Sequence, residues 1–328
     1  MLIVKENIPG KLWNNFLILN NGSFLQSFEW GEFQKSFNKK VWRIAIFQND
    51  LIIASVQLIK EFFPLKGKSF FYIPFGPLFK KNIKSETKRE CFNLILKKIS
   101  QLALKENIIF LRIEPVSILP EDFNFLLPPK RIQPQKTLIL DLRKKEEEIF
   151  QNFTRKVRYN IKLAEKKGVK IEFKDKYIPE FYKLMKKTTK RDKFYSFEEK
   201  HYKNLFDFNN DDLKVKLCLA KYEEKIIAAN ILIFFGQKAI FVHSGSDWDY
   251  RSLKAPNLLR WEAIKIAKNE GYELFDFWGI DEKKWPGLTA FKKGFGGKEF
   301  EYPQARDVVF NKFWYWLYKI FRKMKKLI

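Results

Sequence analysis

Cysteine and histidine are nearly missing from this chain: two of each in 328 residues, Cys91 and Cys218 far apart, His201 and His243 isolated. That shortage excludes a disulfide framework and a cysteine zinc site, and it fits a reducing, cytoplasmic setting. Two scattered histidines do not make a metal cluster, so no metal and no cofactor is expected. No GxSxG elbow occurs, and neither histidine has the context of a nucleophilic triad. No run of about 18 uncharged apolar residues exists, so nothing is expected to span a membrane. Met1-Leu2-Ile3-Val4 is followed at once by Lys5-Glu6, which does not read as a secretory signal.

Acidic residues are also short. Asp and Glu number 38 against 63 Lys and Arg, a formal charge of +25. Such a surface attracts polyanions: nucleic acid, phosphorylated small molecules or an anionic membrane face. Lys, Ile, Phe and Asn are all abundant, so part of this charge is compositional background. What the chain does have is aromatic weight, with 35 Phe, 12 Tyr and 9 Trp. That makes it a packed globular protein rather than a disordered one, and its length suggests two domains.

The order of elements repeats. Trp42 to Phe47 and Leu51 to Ile59 form a hairpin across Gln48-Asn49-Asp50. Ser69 to Ile73 is a strand, Glu86 to Leu104 a helix, and Ile108 to Ile113 the next strand. Thr137 to Leu142 follows as a further strand of this half. In the second half, Val215 to Lys221 and Ile226 to Phe235 form a hairpin, and Ala239 to Ser244 is a strand. Pro256 to Glu270 is a helix and Leu274 to Trp278 the strand after it. A strand–strand–strand–helix–strand unit met twice predicts an internal duplication, with a cleft between the copies.

Three stretches carry one-sided charge or an unusual setting. Thr154 to Gly168 predicts a helix capped by Thr154 and stopped by Gly168. Val157, Ile161 and Ala164 share one face of it, and Arg155, Arg158, Lys162 and Lys166 another. Such a face is either simply solvated or opposed by an anion. Phe310 to Ile328 predicts a C-terminal helix with Phe310, Phe313, Trp314, Leu317, Ile320, Phe321 and Met324 in one stripe. Lys312, Lys319, Arg322, Lys323, Lys325 and Lys326 fill much of the rest. The stripe is expected to dock on the protein and the basic end to face RNA or anionic lipid. Finally, Phe291-Lys292-Lys293-Gly294-Phe295-Gly296-Gly297 sets lysines among Phe and Gly, a poor place for a merely solubilising charge. It reads either as a surface turn or as a site.

Four motifs in order carry a resemblance. Phe24-Leu25-Gln26-Ser27-x-Glu29-Trp30-Gly31-x-Phe33, Tyr72-Ile73-Pro74-x-Gly76-Pro77, Arg158-Tyr159-Asn160-Ile161-x-x-Ala164 and Gly287-Leu288-x-x-Phe291-Lys292-x-x-Phe295-Gly296-Gly297 run from Ser23 almost to the end. Together they resemble the FemABX-type peptidoglycan bridge-forming aminoacyltransferases. The resemblance implies an α/β fold of two tandem GNAT-like (N-acetyltransferase-like) domains: residues 1–148, joined by a C-terminal helix 307–328, and residues 149–306. It implies the form without a coiled-coil arm. It also implies transfer of an amino acid from aminoacyl-tRNA to a stem-peptide amine of a peptidoglycan precursor, either UDP-MurNAc-peptide or lipid-linked.

The implied reaction is aminolysis of an activated ester, which needs two oriented substrates and a positive group where the oxyanion develops. The resemblance places Lys292, with Phe291 beside it, at that group and at the tRNA end. It places Lys35, Tyr72, Arg191, Tyr195 and Tyr250 around the acceptor. Phe194-Tyr195-Ser196-Phe197 departs from the family pattern, lacking the arginine many relatives carry after Arg191-Asp192. Arg155, Arg158, Lys162 and Lys298 would form the track for the tRNA acceptor stem. The expected location is cytoplasmic, with peripheral contact at the inner face of the membrane. Two alternatives stand beside this reading. One is a GNAT-like acyltransferase using acyl-CoA, against which Tyr250-Arg251-Ser252-Leu253-Lys254-Ala255 shows no pyrophosphate-binding glycine pair. The other is a nonenzymatic RNA- or membrane-binding protein.

Overall fold

The computed structural model describes residues 1–63, 67–121 and 123–324. Along the chain come β1 (Ile3–Glu6), α1 (Gly10–Leu19), α2 (Phe28–Lys35), β2 (Val41–Gln48), β3 (Leu51–Phe62), β4 (Ser69–Pro74) and β5 (Leu78–Phe79). Then follow α3 (Ser85–Lys105), β6 (Ile108–Glu114), β7 (Lys136–Asp141), α4 (Glu146–Gln151), α5 (Arg155–Lys166) and β8 (Lys170–Phe173). The remainder is α6 (Ile178–Asp192), α7 (Glu199–Asp207), β9 (Leu213–Tyr222), β10 (Lys225–Phe235), β11 (Lys238–Ser246), α8 (Ala255–Asn269), β12 (Leu274–Asp276), α9 (Pro286–Lys293), β13 (Lys298–Glu301), β14 (Arg306–Val309) and α10 (Lys312–Met324).

Two mixed sheets result, with the strand orders β1-β2-β3-β4-β6-β14 and β13-β7-β12-β11-β10-β9-β8. The repeat read from the sequence is present in both. Each has an antiparallel hairpin (β2–β3, β9–β10), an antiparallel third strand (β4, β11), a helix (α3, α8) and then a parallel strand (β6, β12).

The strand after each repeat corrects the expected boundary. The sequence order puts Thr137–Leu142 in the first half, but β7 pairs antiparallel with β12 of the second sheet. The strand that occupies the matching place beside β6 is β14, from the far end of the chain. The two compact units are therefore residues 1–135 with 302–328, and 136–301, rather than divided at 148 and 306. Linear reading could not see this, because each repeat's last partner strand is supplied from outside that repeat.

In the first unit the family motifs lock onto one another. Gln26 donates Nε2 to the carbonyls of Pro74 (2.8 Å) and Gln57 (3.1 Å), while its Oε1 accepts from the Gln57 amide at 2.8 Å. Ser27 caps α2 through the Trp30 amide, and Glu29 accepts from the Asn14 amide nitrogen at 3.0 and 2.9 Å. These polar groups are buried, so each needs its partner there. The core behind them is Ile44, Val56, Leu58, Phe71, Phe92, Ile95 and Leu111. The second unit's core joins the apolar faces of α5 and α8 to the sheet through Val157, Ile161, Leu258, Trp261, Phe241 and Phe275.

The C-terminal helix begins at Lys312 rather than Phe310, and it docks by a different face from the one expected. Tyr315 and Tyr318 are buried, whereas Phe313 and Ile320 of the expected stripe are exposed. Hydrogen bonding decides the face. Tyr315 donates its hydroxyl to Asp307 at 2.8 Å, and Arg112 donates to the Tyr318 hydroxyl at 2.9 Å. Lys325 and Lys326 lie outside the described residues, as do the side chains of Lys323 and Met324.

Candidate active site

The strand β12 ends sooner than the sequence suggested. Asp276 turns back to accept the amide of Trp278 at 2.8 Å, and Trp278 takes a left-handed φ of 59°. This aims the carbonyls of Trp278 and Gly279 at α9. Phe291-Lys292-Lys293, which opens the stretch that reads as turn or site, closes the helix α9, whose first turn carries a proline.

On that helix Lys292 points inward. It is only 7% exposed, and its Nζ donates to the carbonyl oxygens of Gly279 at 2.6 Å and Trp278 at 3.2 Å. An amine in that place is poorly hydrated. Burial, then the neighbouring charge of Arg260, bring its pKa down to about 7, with Asp276 opposing. Lys293, the adjacent lysine, does the opposite: it sits at the surface, paired with Glu282 and with Glu299. Phe291 is half-buried and meets Phe295 edge-on at 5.4 Å.

Arg260 was not among the expected residues. It lies on α8, 3% exposed, with its guanidinium 3.5 Å from the Phe241 ring centroid and the rings of Phe291, Phe277 and Phe295 within 6 Å. Its Nε and Nη1 have no hydrogen-bond partner, and burial lowers its pKa to about 9. Asp276, also missed, is buried, accepts from the Thr137 hydroxyl, and has its pKa raised by burial. A signal for both was present. Leu258-Leu259-Arg260-Trp261 and Phe275-Asp276-Phe277 each embed one charge in an apolar run, which marks a charge that cannot reach solvent.

The third and fourth motifs meet here. The Thr154 amide donates to the Gly294 carbonyl at 2.9 Å, and a Cβ at Gly294 would lie 2.7 Å from Val157 Cγ2. Only glycine allows that approach. The start of α5 and the end of α9 are thus joined, which brings the basic helix and the Lys292 helix together. Thr154 precedes α5 without a side-chain cap bond, and Gly168 follows it at φ 80°. Arg155 and Lys162 are exposed, as is Lys298 at the start of β13. Arg158 is engaged instead in holding the carbonyls of Gln151 (2.8 Å) and Phe153 at the end of α4.

The remaining expected residues sit as follows. In the second unit Arg191 forms a two-pronged pair with Asp192 (2.7 and 2.8 Å) and stacks over Trp248 at 5.0 Å. Tyr195 is fully exposed, and the Tyr250 hydroxyl accepts from Lys225 at 3.0 Å. In the first unit Lys35 pairs with Glu32 at 2.9 Å. Tyr72 is buried and donates its hydroxyl to Glu114 at 2.7 Å. Burial, then Glu114, raise its pKa well above the usual phenol value.

The FemAB family model matches residues 11–124, 128–226 and 218–323. This chain belongs to the FemAB family. It is 23% identical to a Lipid II:glycine glycyltransferase of Staphylococcus epidermidis, covering 98% of this chain and 95% of that one. The enzyme of the same name from Staphylococcus haemolyticus is 22% identical over 394 aligned residues, covering 94% and 93%. That aligned length exceeds 328, so the relative carries inserted segments that this FemAB protein lacks. Among solved structures, the crystal structure of FemX superposes with a TM-score of 0.82 at 20% identity, covering 97% of this chain and all of that one. A tandem GNAT protein from the clavulanic acid biosynthesis pathway gives 0.57 at 10% identity, covering 94% and 98%. Both likenesses are of fold, and the fold is the tandem GNAT-like one that the motifs implied.

Proposed function

We propose that this FemAB protein is an aminoacyltransferase of cell-wall synthesis, moving an amino acid from aminoacyl-tRNA to an amine of a lipid-linked peptidoglycan precursor. Family membership and the relatives named Lipid II:glycine glycyltransferase support the reading and make glycine the first amino acid to test. The observation that carries it is Lys292. A buried amine with a pKa of about 7, anchored by two carbonyls beside an unpaired arginine, is built to handle a proton near neutral pH.

The chemistry balances on that one group. The neutral acceptor amine attacks the ester carbonyl carbon, forming the C–N bond and a tetrahedral oxyanion. As an ammonium, Lys292 has three N–H bonds, two committed to Trp278 and Gly279, and the third meets the oxyanion. When the C–O bond breaks, Lys292 gives its proton to the leaving ribose oxygen. It recovers a proton from the nitrogen that has just become an amide. Arg260 lowers the cost of giving the proton up, since the remaining cation next door disfavours the ammonium.

Donor binding is assigned to the exposed cations Arg155, Lys162 and Lys298, with Arg158 holding their helix in place. In the second unit, Arg191, Tyr195 and Tyr250 are assigned to the acceptor; a phosphate would compete with Asp192 for the Arg191 fork. Lys35 and Tyr72, in the first unit, are paired with Glu32 and Glu114, and neither is assigned to the acceptor. The acceptor being lipid-linked, the reaction takes place at a membrane surface. Among the described residues, no helix is long and apolar enough to cross one.

The test is incubation of purified protein and lipid II with labelled glycyl-tRNA or, in parallel, with labelled acyl-CoA. Labelled peptide product is expected. Labelled product from acyl-CoA instead, or tRNA binding without turnover, would refute the proposal.

A further inference from the structure

The described face of α10 that does not dock is apolar and bordered by cations. Phe313, Trp316 and Ile320 are spaced by three and four residues along one side, and they are 61%, 56% and 37% exposed. Phe313 and Trp316 lie with ring centroids 6.4 Å apart. Lys312 and Lys319 are exposed on the same helix, and Lys68, just before β4, holds its ammonium 4.5 Å over the Trp314 ring. No acidic residue occurs from Lys312 to Met324.

Rotation cannot hide those side chains. The opposite face is fixed by Tyr315 on Asp307 and Tyr318 on Arg112, the latter pair joined in turn by a two-pronged bond of Arg112 to Asp307 at 2.9 and 2.7 Å. Phe63 packs on Tyr318 at 5.3 Å and on Phe321 at 6.2 Å, clamping the same side. The sequence had placed Phe313 and Ile320 against the protein. Their exposure leaves large apolar side chains in water beside a row of lysines, the arrangement of a helix lying in a bilayer interface.

We propose that α10 is a membrane-contacting surface, with Phe313, Trp316 and Ile320 entering the headgroup region of an anionic leaflet and Lys312, Lys319 and Lys68 meeting its phosphates. Charge complementarity selects the lipid: a basic helix without carboxylates is drawn to anionic headgroups, and each lysine near such a surface adds attraction. An RNA partner would use the lysines but gains nothing from an exposed isoleucine. The surface deepens the proposed reaction, since a lipid-linked acceptor lies in that leaflet, but vesicle binding requires no catalysis.

The experiment is cosedimentation with vesicles of phosphatidylcholine and phosphatidylglycerol, against phosphatidylcholine alone. The full chain binds the anionic vesicles, and replacing Phe313 and Trp316 together by serine weakens binding by roughly 10- to 100-fold. Trp316→Phe retains it, and Lys312→Gln with Lys319→Gln removes most of the preference for phosphatidylglycerol. Transfer to lipid II in anionic vesicles falls with the serine pair, while transfer to lipid II dispersed in detergent does not. An inactive protein that still binds vesicles through these residues would sink the transferase reading and leave this one standing. Equal binding by the wild type and the serine pair would overturn the surface. So would a serine pair that keeps vesicle binding but loses tRNA binding or concentration-dependent self-association.

Discussion

Among the described residues each unit of this protein buries one arginine, and the two are treated in opposite ways. Arg112, on β6 of the first unit, is 1% exposed with every guanidinium nitrogen paired: Asp307 accepts from Nε and Nη2, the Lys130 carbonyl and the Tyr318 hydroxyl from Nη1. Those partners more than offset burial, and its pKa is raised. Arg260, on α8 of the second unit, has aromatic rings where Arg112 has acceptors, and its pKa falls. A paired buried arginine anchors structure. An unpaired one costs stability, and it persists where its field acts on something else, here Lys292.

That contrast can be broken most sharply at Lys292 itself. Lys292→Met is expected to lower the transfer rate about 100- to 1000-fold, as for loss of one oxyanion donor. Lys293→Met, one residue away and paired at the surface, should leave the rate within a few-fold; single-turnover transfer of labelled glycine compares the two. Next in size is the arginine pair. Arg112→Met leaves Asp307 buried without its cation and is expected to cost about 3–5 kcal/mol in denaturant unfolding. Arg260→Met removes an uncompensated charge from an apolar site and should leave unfolding stability equal or higher. Equal losses at both positions would erase the distinction drawn here.

A smaller effect concerns stability against pH. The folded pKa of Lys292, about 7, lies below that of an unfolded lysine, so between these values the unfolded chain binds more protons. Its burial therefore costs most at and below pH 7, and the cost fades as pH rises towards the unfolded value, each pKa unit being worth roughly 1.4 kcal/mol. Unfolding curves should show Lys292→Met more stable than wild type at pH 6, with the gap closing by alkaline pH. Smallest is the tRNA track. Arg155→Gln with Lys162→Gln is expected to reduce the salt slope of tRNA affinity by about 1–2, without loss of fold. Arg158→Gln should instead lower stability, because it releases the carbonyls that end α4.

Much of this was legible in the chain. The duplicated hairpin, strand, helix and strand followed from periodicity, and four ordered motifs pointed to the family. Lys292 stood out because an ammonium among Phe and Gly is badly solvated. What was not legible involved pairing across long sequence separations. The exchange of β7 and β14 between sheets cannot be read from local pattern, since either strand satisfies either edge. The docked face of α10 escapes local pattern for a related reason. Hydrophobicity favoured Phe313 and Ile320, yet two tyrosine hydroxyls reaching Asp307 and Arg112 decide the orientation. Arg260 and Asp276 were visible as single charges in apolar runs, but their meaning depends on what lies beside them in the fold.

The pH dependence of glycyl transfer, compared between wild type and Arg260→Gln, tests the central claim most directly. If the Lys292 ammonium serves the oxyanion, and burial together with the Arg260 charge holds its pKa near 7, wild-type turnover declines as pH rises through about 7. Removing the neighbouring cation then moves that decline to higher pH. A decline at the same pH in both proteins, or none in either, would contradict the account.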